Sequence, residues 1–425
     1  MAIPPGPVRH EPLPRTTSTA WLNRALLVTT RPETAWLLFG CLVLIVYCFI
    51  PASLMLLGYR DTAYGTLAGI SALGVIVIWT TYLVSKAFEI KIPPLVIDTN
   101  LFLLVVIGTF IGFAILSWVT AEQIPLFAAL QGADGATLAY LRESFLKGRG
   151  GWQSSFVYIN AILSGALIPY CIAVMFVTGH RFKWFVFAFF LFYSISFIEK
   201  AFFLKAVIPI FYLLCQQRFR SRIQPSYIAI GTLILLLIFT VVSRAGSSTW
   251  HVGGGDFWSP TYQAVNALDQ LLWRMVSVPV FSAVDAIKVY ELYFGYPLMG
   301  ATSSILSLVQ GTERIEFERM VFAFEWGQNA TSTGSANSVY LTEAYINYGL
   351  PGVALFSVVV GLCLRIFVSS RDEAVRAVWL LFAFNLFSAG LIGLLFSNGF
   401  ILLFLIAVFV RLRNVPVLGR TTKLA

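Results

Sequence analysis

Apolar runs of membrane-spanning length recur along this chain, and they limit its fold more than any other feature. A bilayer crossing needs about 20 mainly apolar residues in a helix. Such runs fall near 35–58, 64–84, 98–119, 153–178, 184–198, 201–215, 226–243, 348–368, 377–396 and 399–411. They predict an all-α, polytopic transmembrane protein of about ten spans. Composition agrees: of 425 residues, 58% are hydrophobic and 12% charged, with a mean hydropathy of +0.81, whereas soluble domains carry about 25% charged residues. No water-soluble core absorbs that much apolar surface. The five cysteines, Cys41, Cys48, Cys171, Cys215 and Cys363, all fall inside apolar runs and form no CxxC pair, so neither a disulfide framework nor a zinc site is indicated.

Residues 1–34 are rich in proline and arginine and read as a disordered tail. The apolar run after them exceeds the roughly 7 to 15 residues of a signal-peptide core, so it reads as a retained first span. The formal charge is +9, but the Lys and Arg residues are dispersed between apolar runs, which speaks against a nucleic-acid partner. Topology explains the balance better. With the N-terminus inside, Arg9, Arg15, Arg24, Arg31, Lys86, Lys91, Arg181, Lys183, Arg218, Arg220 and Arg222 all fall in inner segments. So do Arg365, Arg371, Arg376, Arg411, Arg413, Arg420 and Lys423. Ten spans put both termini in the cytoplasm, with a membrane domain over 35–411 and a short tail over 412–425. Two long segments, 120–152 and 244–338, then lie on the outer side. Stretches 262–278 and 281–298 within the second repeat apolar residues at helical spacing and predict helices lying on the membrane surface.

Among standard motifs there is no Walker loop, GxSxG elbow, HExxH pair or DxD-like carboxylate pair, so neither a metal nor a nucleotide cofactor is expected. What remains is a set of ionisable residues at outer helix ends, where burying a charge costs at least ~2.5 kcal/mol and so has a reason. In Tyr340-Leu341-Thr342-Glu343-Ala344-Tyr345-Ile346-Asn347-Tyr348, the side chains of Tyr340, Glu343 and Asn347 share one helical face. Gly349-Leu350-Pro351-Gly352 should break this turn from the span below. The reading is a carboxylate at the outer water–lipid boundary, serving as general base or hydroxyl ligand, with Tyr345 among the flanking aromatics. Lys200 and Lys205 belong to the outer turn 199–205, and Arg142 and Arg149 to a glycine-containing stretch suited to phosphate oxygens. Arg274 sits among apolar residues five positions after Asp269. Weaker candidates are Arg314 and Arg319, alternating with glutamates, and His251 in a glycine-rich stretch.

Gly334-Ser335-Ala336-Asn337, the segment from Glu343 to Gly349, the outer cations and the charged turn at 199–205 together resemble the bacterial oligosaccharide repeat-unit polymerases. These Wzy-type O-antigen or capsule polymerases are related in architecture to O-antigen ligases. The resemblance implies a GT-C-like enzyme of the bacterial inner membrane. Its partners would be undecaprenyl-pyrophosphate-linked oligosaccharide, membrane lipid and a chain-length regulator. It would transfer the growing chain onto the non-reducing end of a new repeat unit at the periplasmic face. Glu343 and Arg274 would be catalytic, and Arg142, Arg149, Lys200, Lys205, Tyr340, Tyr345 and Asn347 would hold substrate. An essential His251 would instead favour a ligase-type transferase. A flippase or transporter of lipid-linked sugars would place its charges deeper, along a central path. A purely structural envelope subunit would leave Glu343 and Arg274 without a role.

Overall fold

The computed structural model describes residues 31–88, 93–198, 202, 204–216, 254–327, 336, 338–413 and 415. The described chain is mostly helical, and five of its helices are long and apolar enough to cross a membrane: Pro32–Leu56 (α1), Thr62–Ser85 (α2), Thr99–Val119 (α3), Gly151–Thr178 (α6) and Tyr340–Ser369. Between a third and a half of the apolar windows of α1, α2, α3 and Tyr340–Ser369 is buried inside the protein, against 83% for α6. The four therefore turn much of their apolar surface outward, where Leu56, Ile76, Leu104, Val119 and Leu355 are exposed, while α6 is enclosed over most of its length. Such outward apolar surface suits lipid rather than water as the surrounding solvent.

Between α3 and α6 lie the short α4 (Pro125–Leu130) and α5 (Gly135–Leu146). The next two apolar helices, α7 (Lys183–Ser196) and α8 (Leu204–Cys215), are shorter than a full crossing. The expected span at 226–243 lies outside the described residues. In the second long segment, α9 (Ala267–Leu272) runs through a wide π turn at Trp273–Ser277 into α10 (Val278–Tyr293), followed by α11 (Ser304–Gln310) and α12 (Phe317–Trp326). Helices do fall in the expected stretches 262–278 and 281–298, but α9 continues into α10 without a break, and α10 is buried over most of its residues rather than lying amphipathic on a surface.

The described parts of both long segments gather at one end of the bundle, called here the loop face. Lys288 of α10 pairs with Asp61 at the start of α2, at 3.1 Å. Arg319 of α12 reaches Glu143 of α5 at 3.8 Å. At the opposite face Arg376 joins Glu33 and Glu373, Tyr170 donates to Asp372 at 2.7 Å, and two three-residue strands, β1 (Leu95–Ile97) and β2 (Val410–Leu412), pair in parallel.

Helix Tyr340–Ser369 departs from expectation in a way that sets the site. Gly349 has φ 63° and ψ −155°, a backbone conformation open in practice only to glycine. The chain reverses there. Residues 340–348 form α13 and residues 350–369 form α14, folded back on each other so that Tyr340 Oη lies 3.4 Å from Ser357 Oγ. At Gly352 a Cβ would stand 2.5 Å from both the Ala344 carbonyl oxygen and Tyr348 Cβ, so the fold-back needs a second glycine. A third, Gly74 of α2, admits Leu341 and Ser357, whose nearest atoms would be 2.4 and 3.1 Å from a Cβ. Close approach at small residues is the usual way helices associate in membranes. The Gly-Leu-Pro-Gly break is present as the sequence predicts, but it does not leave α13 standing above its span. It turns α13 down beside α14.

The expected ninth span is interrupted as well. After α15 (Glu373–Ala377) and α16 (Trp379–Leu386), helical geometry lapses around Ser388-Ala389-Gly390 and resumes through a π turn at Gly393–Ser397. Tyr47 of α1 donates to the Phe387 carbonyl at the start of this gap, at 2.5 Å. Gly399, at φ 75°, starts the final helix α17 (Phe400–Phe409).

Candidate functional site

The fold-back of α13 and the gap in the ninth segment meet, and a cavity of about 230 Å³ lies between them. Its wall takes Glu343, Ile346 and Asn347 from α13, Ala389 to Asn398 in part from the interrupted segment, Thr302 and Ser338 from the connecting loops, and Phe317 and Glu318 from α12. The volume lies just below the ~300 to 1,000 Å³ of typical small-molecule pockets.

Glu343 approaches the interrupted segment so closely that a Cβ on Gly390 would stand 2.7 Å from its Cδ and Oε2 and 2.8 Å from its Oε1. The backbone N–H groups of Leu391 and Ile392, freed by the gap, lie beside the carboxylate. Its Oε2 is shielded from solvent and has no hydrogen-bond partner. An unpartnered buried acceptor costs ~1–3 kcal/mol, so this oxygen is poised for a donor that the protein does not supply.

Asn347 fixes the upper end of α13. Its amide donates to Thr302 Oγ1 at 2.8 Å and to the Glu343 carbonyl at 2.8 Å, while its Oδ1 accepts from the Gly300 N–H at 3.0 Å. The reversal at Gly349 leaves the last carbonyls of α13 without intrahelical donors. Leu298 N–H takes the Ile346 carbonyl at 3.1 Å and Met299 N–H the Asn347 carbonyl at 2.8 Å. The α10–α11 loop is therefore strapped across the top of the Glu343 helix, bringing Thr302 into the cavity wall.

The predicted face of Tyr340, Glu343 and Asn347 divides. Glu343 and Asn347 reach the cavity, but Tyr340 is wholly buried, beside Ser357 and the Phe39 ring. Its role is packing. Tyr345 stacks edge-on against Tyr290 at 5.8 Å rather than lining the cavity. None of the described candidate cations lines the cavity either. Arg149 is engaged from all sides: Nε donates to the Phe145 carbonyl, Nη1 to Thr120, and Nη2 to the Ser117 carbonyl at 2.8 Å. The guanidinium also lies over the Phe145 and Phe156 rings at 5.5 and 5.0 Å. It clamps α3, α5 and α6 together, and burial pulls its pKa down. Arg142 is exposed on α5, and Arg274 is exposed on the π turn before α10. Asp269 does not pair with Arg274 but accepts from Tyr262 Oη at 2.8 Å and Val265 N–H at 2.9 Å. Lys205 lies 4.0 Å above the Phe202 ring. Lys200 and His251 lie outside the described residues.

Arg314 and Arg319 come nearer the cavity. Arg314 Nη2 is 3.7 Å from Oε2 of the wall residue Glu318, and Arg319 pairs with Glu316 at 3.0 Å. Sequence reading missed Glu318, Thr302, Ser338, Ser397, Asn398 and Gly390. The signal for the last three was present: Ser388-Ala389-Gly390 and Ser397-Asn398-Gly399 are small polar breaks inside an apolar run. Comparison with protein-family models, with curated proteins and with solved structures yields no match.

Proposed function

We propose that this chain is a membrane glycosyltransferase that joins polyprenyl-pyrophosphate-linked oligosaccharide repeat units, with the loop face on the extracytoplasmic side of a bacterial inner membrane. One observation carries the reading. The Glu343 carboxylate has a seat of its own in a hydroxyl- and amide-lined cavity, with one oxygen awaiting a donor. An acceptor sugar hydroxyl is such a donor. In the reaction the hydroxyl oxygen attacks the anomeric carbon of the lipid-linked chain, the bond from that carbon to the pyrophosphate oxygen breaks, and the hydroxyl proton passes to Glu343. The pyrophosphate departs with the bonding electrons. Arg142 and Arg274, exposed on the loop face, are its candidate counter-charges, whereas Arg149 keeps the scaffold together. Asn347 positions Glu343 through the carbonyl it binds.

Reconstitution of the full chain in liposomes with undecaprenyl-pyrophosphate-linked repeat units tests this, read as a ladder of chain lengths. Glu343→Gln keeps the shape and removes the base, and should cost about 10²- to 10⁴-fold in rate. Long polymer from Glu343→Gln at the wild-type rate would sink the assignment.

A second reading has its own support. The fold-back carries Glu343 six residues below the reversal, or about 9 Å at 1.5 Å per residue, and a carboxylate at such depth also suits a transport path. Movement of lipid-linked sugar across liposomes by a chain that makes no polymer would favour that reading.

A further inference from the structure

The cavity wall selects for charge. Two carboxylates, Glu343 and Glu318, reach it, and among the described residues no Lys, Arg or His side chain does. Both line the same cavity, so that when ionised together they repel. Of the described cations near the rim, Arg319 is held by Glu316 and Glu143, and Arg314 meets Glu318 from the solvent side, where both side chains are 44% exposed. Two of the neutral polar groups are already engaged. Both donated bonds of the Asn347 amide are spent within the protein, and Thr302 Oγ1 already accepts one of them. A guest thus meets Glu343 Oε2, an acceptor without a donor, in a field of negative sign.

Resting on the glycosyltransferase reading, we infer that the sugar ring seated at Glu343 is neutral or amine-bearing, and that the cavity rejects uronic and other acidic sugars. A carboxylate on the guest would face two carboxylates at short range, and like-charge juxtaposition in a recognition site disfavours binding. A hydroxyl or ammonium group supplies the missing donor. The volume admits about one ring, so the selection falls on the terminal residue of the acceptor and not on the rest of the repeat unit.

The test is binding to the full chain in lipid nanodiscs at pH 8, followed by saturation-transfer NMR with glucosamine, N-acetylglucosamine and glucuronic acid. The first two should bind at least about tenfold more tightly than glucuronate, equivalent to ~1.4 kcal/mol. Glu343→Gln should weaken glucosamine and strengthen glucuronate until the gap narrows to about threefold. Glu343→Asp, which keeps the charge, should preserve the order, and thermal unfolding of each variant shows whether it is folded. Glucuronate binding as tightly as N-acetylglucosamine, an order unmoved by Glu343→Gln in a folded variant, or binding by none of the three would each overturn the inference. The liposome assay needs only the lipid-linked unit, so it can succeed while this fails. Polymer made efficiently on acceptors ending in a uronic acid would do the converse, sparing the transferase reading and refuting the selection.

Discussion

Replacing Gly390 by alanine attacks the site without touching an ionisable group. The added Cβ would stand 2.7 to 2.8 Å from three atoms of the Glu343 carboxyl group. Ordinary carbon–oxygen contact begins near 3.4 Å, so the carboxylate must retreat by roughly 0.7 Å or the gap at 388–390 must widen by as much. Misplacement of a reacting group by about 1 Å costs on the order of 10²-fold in rate. Gly390→Ala should therefore lose about 10- to 100-fold of polymer formation while inserting normally. Overpacking adds about 1–3 kcal/mol of destabilisation, visible as a lower midpoint in a detergent thermal-shift assay. Gly108→Ala on α3 is the control, because a Cβ there has no atom within 4 Å. It should leave both readouts at wild-type level. Liposome turnover and thermal midpoint should be measured on the same preparations. Gly390→Ala with wild-type turnover would show that the carboxylate seat is irrelevant to the chemistry.

Arg149→Ala removes three hydrogen bonds to α3 and α5 and should lower the thermal midpoint sharply, with Arg149→Lys recovering little, because one ammonium cannot span the three acceptors; wild-type stability in Arg149→Ala would refute the clamp. Arg274→Ala, at an exposed position, should leave the midpoint unchanged, so any loss of polymer reports contact with the donor, and full activity would remove Arg274 from the site. Burial raises the Glu325 carboxyl to about 7 from 4.5. A folded pKa above the unfolded one means that stability is greatest below about pH 4.5 and declines as pH rises toward 7, by at most ~3 kcal/mol. Glu325→Gln should flatten the dependence of the thermal midpoint between pH 5 and 8, and an unchanged slope would refute the assignment.

The helical runs were legible because an apolar stretch in lipid has few alternatives to a helix. Glu343 and Asn347 were legible because i, i+4 spacing puts two side chains on one face whatever the helix does next. The direction α13 takes was not. Gly-Leu-Pro-Gly announces a break, but whether the chain bends or reverses depends on ψ at Gly349 and on the room that Gly352 and Gly74 leave for close packing. Those are tertiary facts. Arg149 misled for a related reason: glycine neighbours and a cation describe a phosphate loop and a structural clamp equally well. What separates them is the placement of the Thr120 and Ser117 oxygens, about 30 residues away in sequence at the end of α3.

The parallel pairing of Leu95–Ile97 with Val410–Leu412 bears on the order in which the molecule is made. Its two partners are separated by most of the chain, so during synthesis the strand before α3 waits with open backbone groups until the last helix has entered the membrane. The Glu343 cavity has the same timetable, since one wall comes from α13 and another from residues 389–398. Neither the ladder nor the cavity exists in a partly translated chain. Every earlier helix must therefore tolerate lipid on the surfaces that later helices cover, and the carboxylate finds its seat only when the final hairpin arrives.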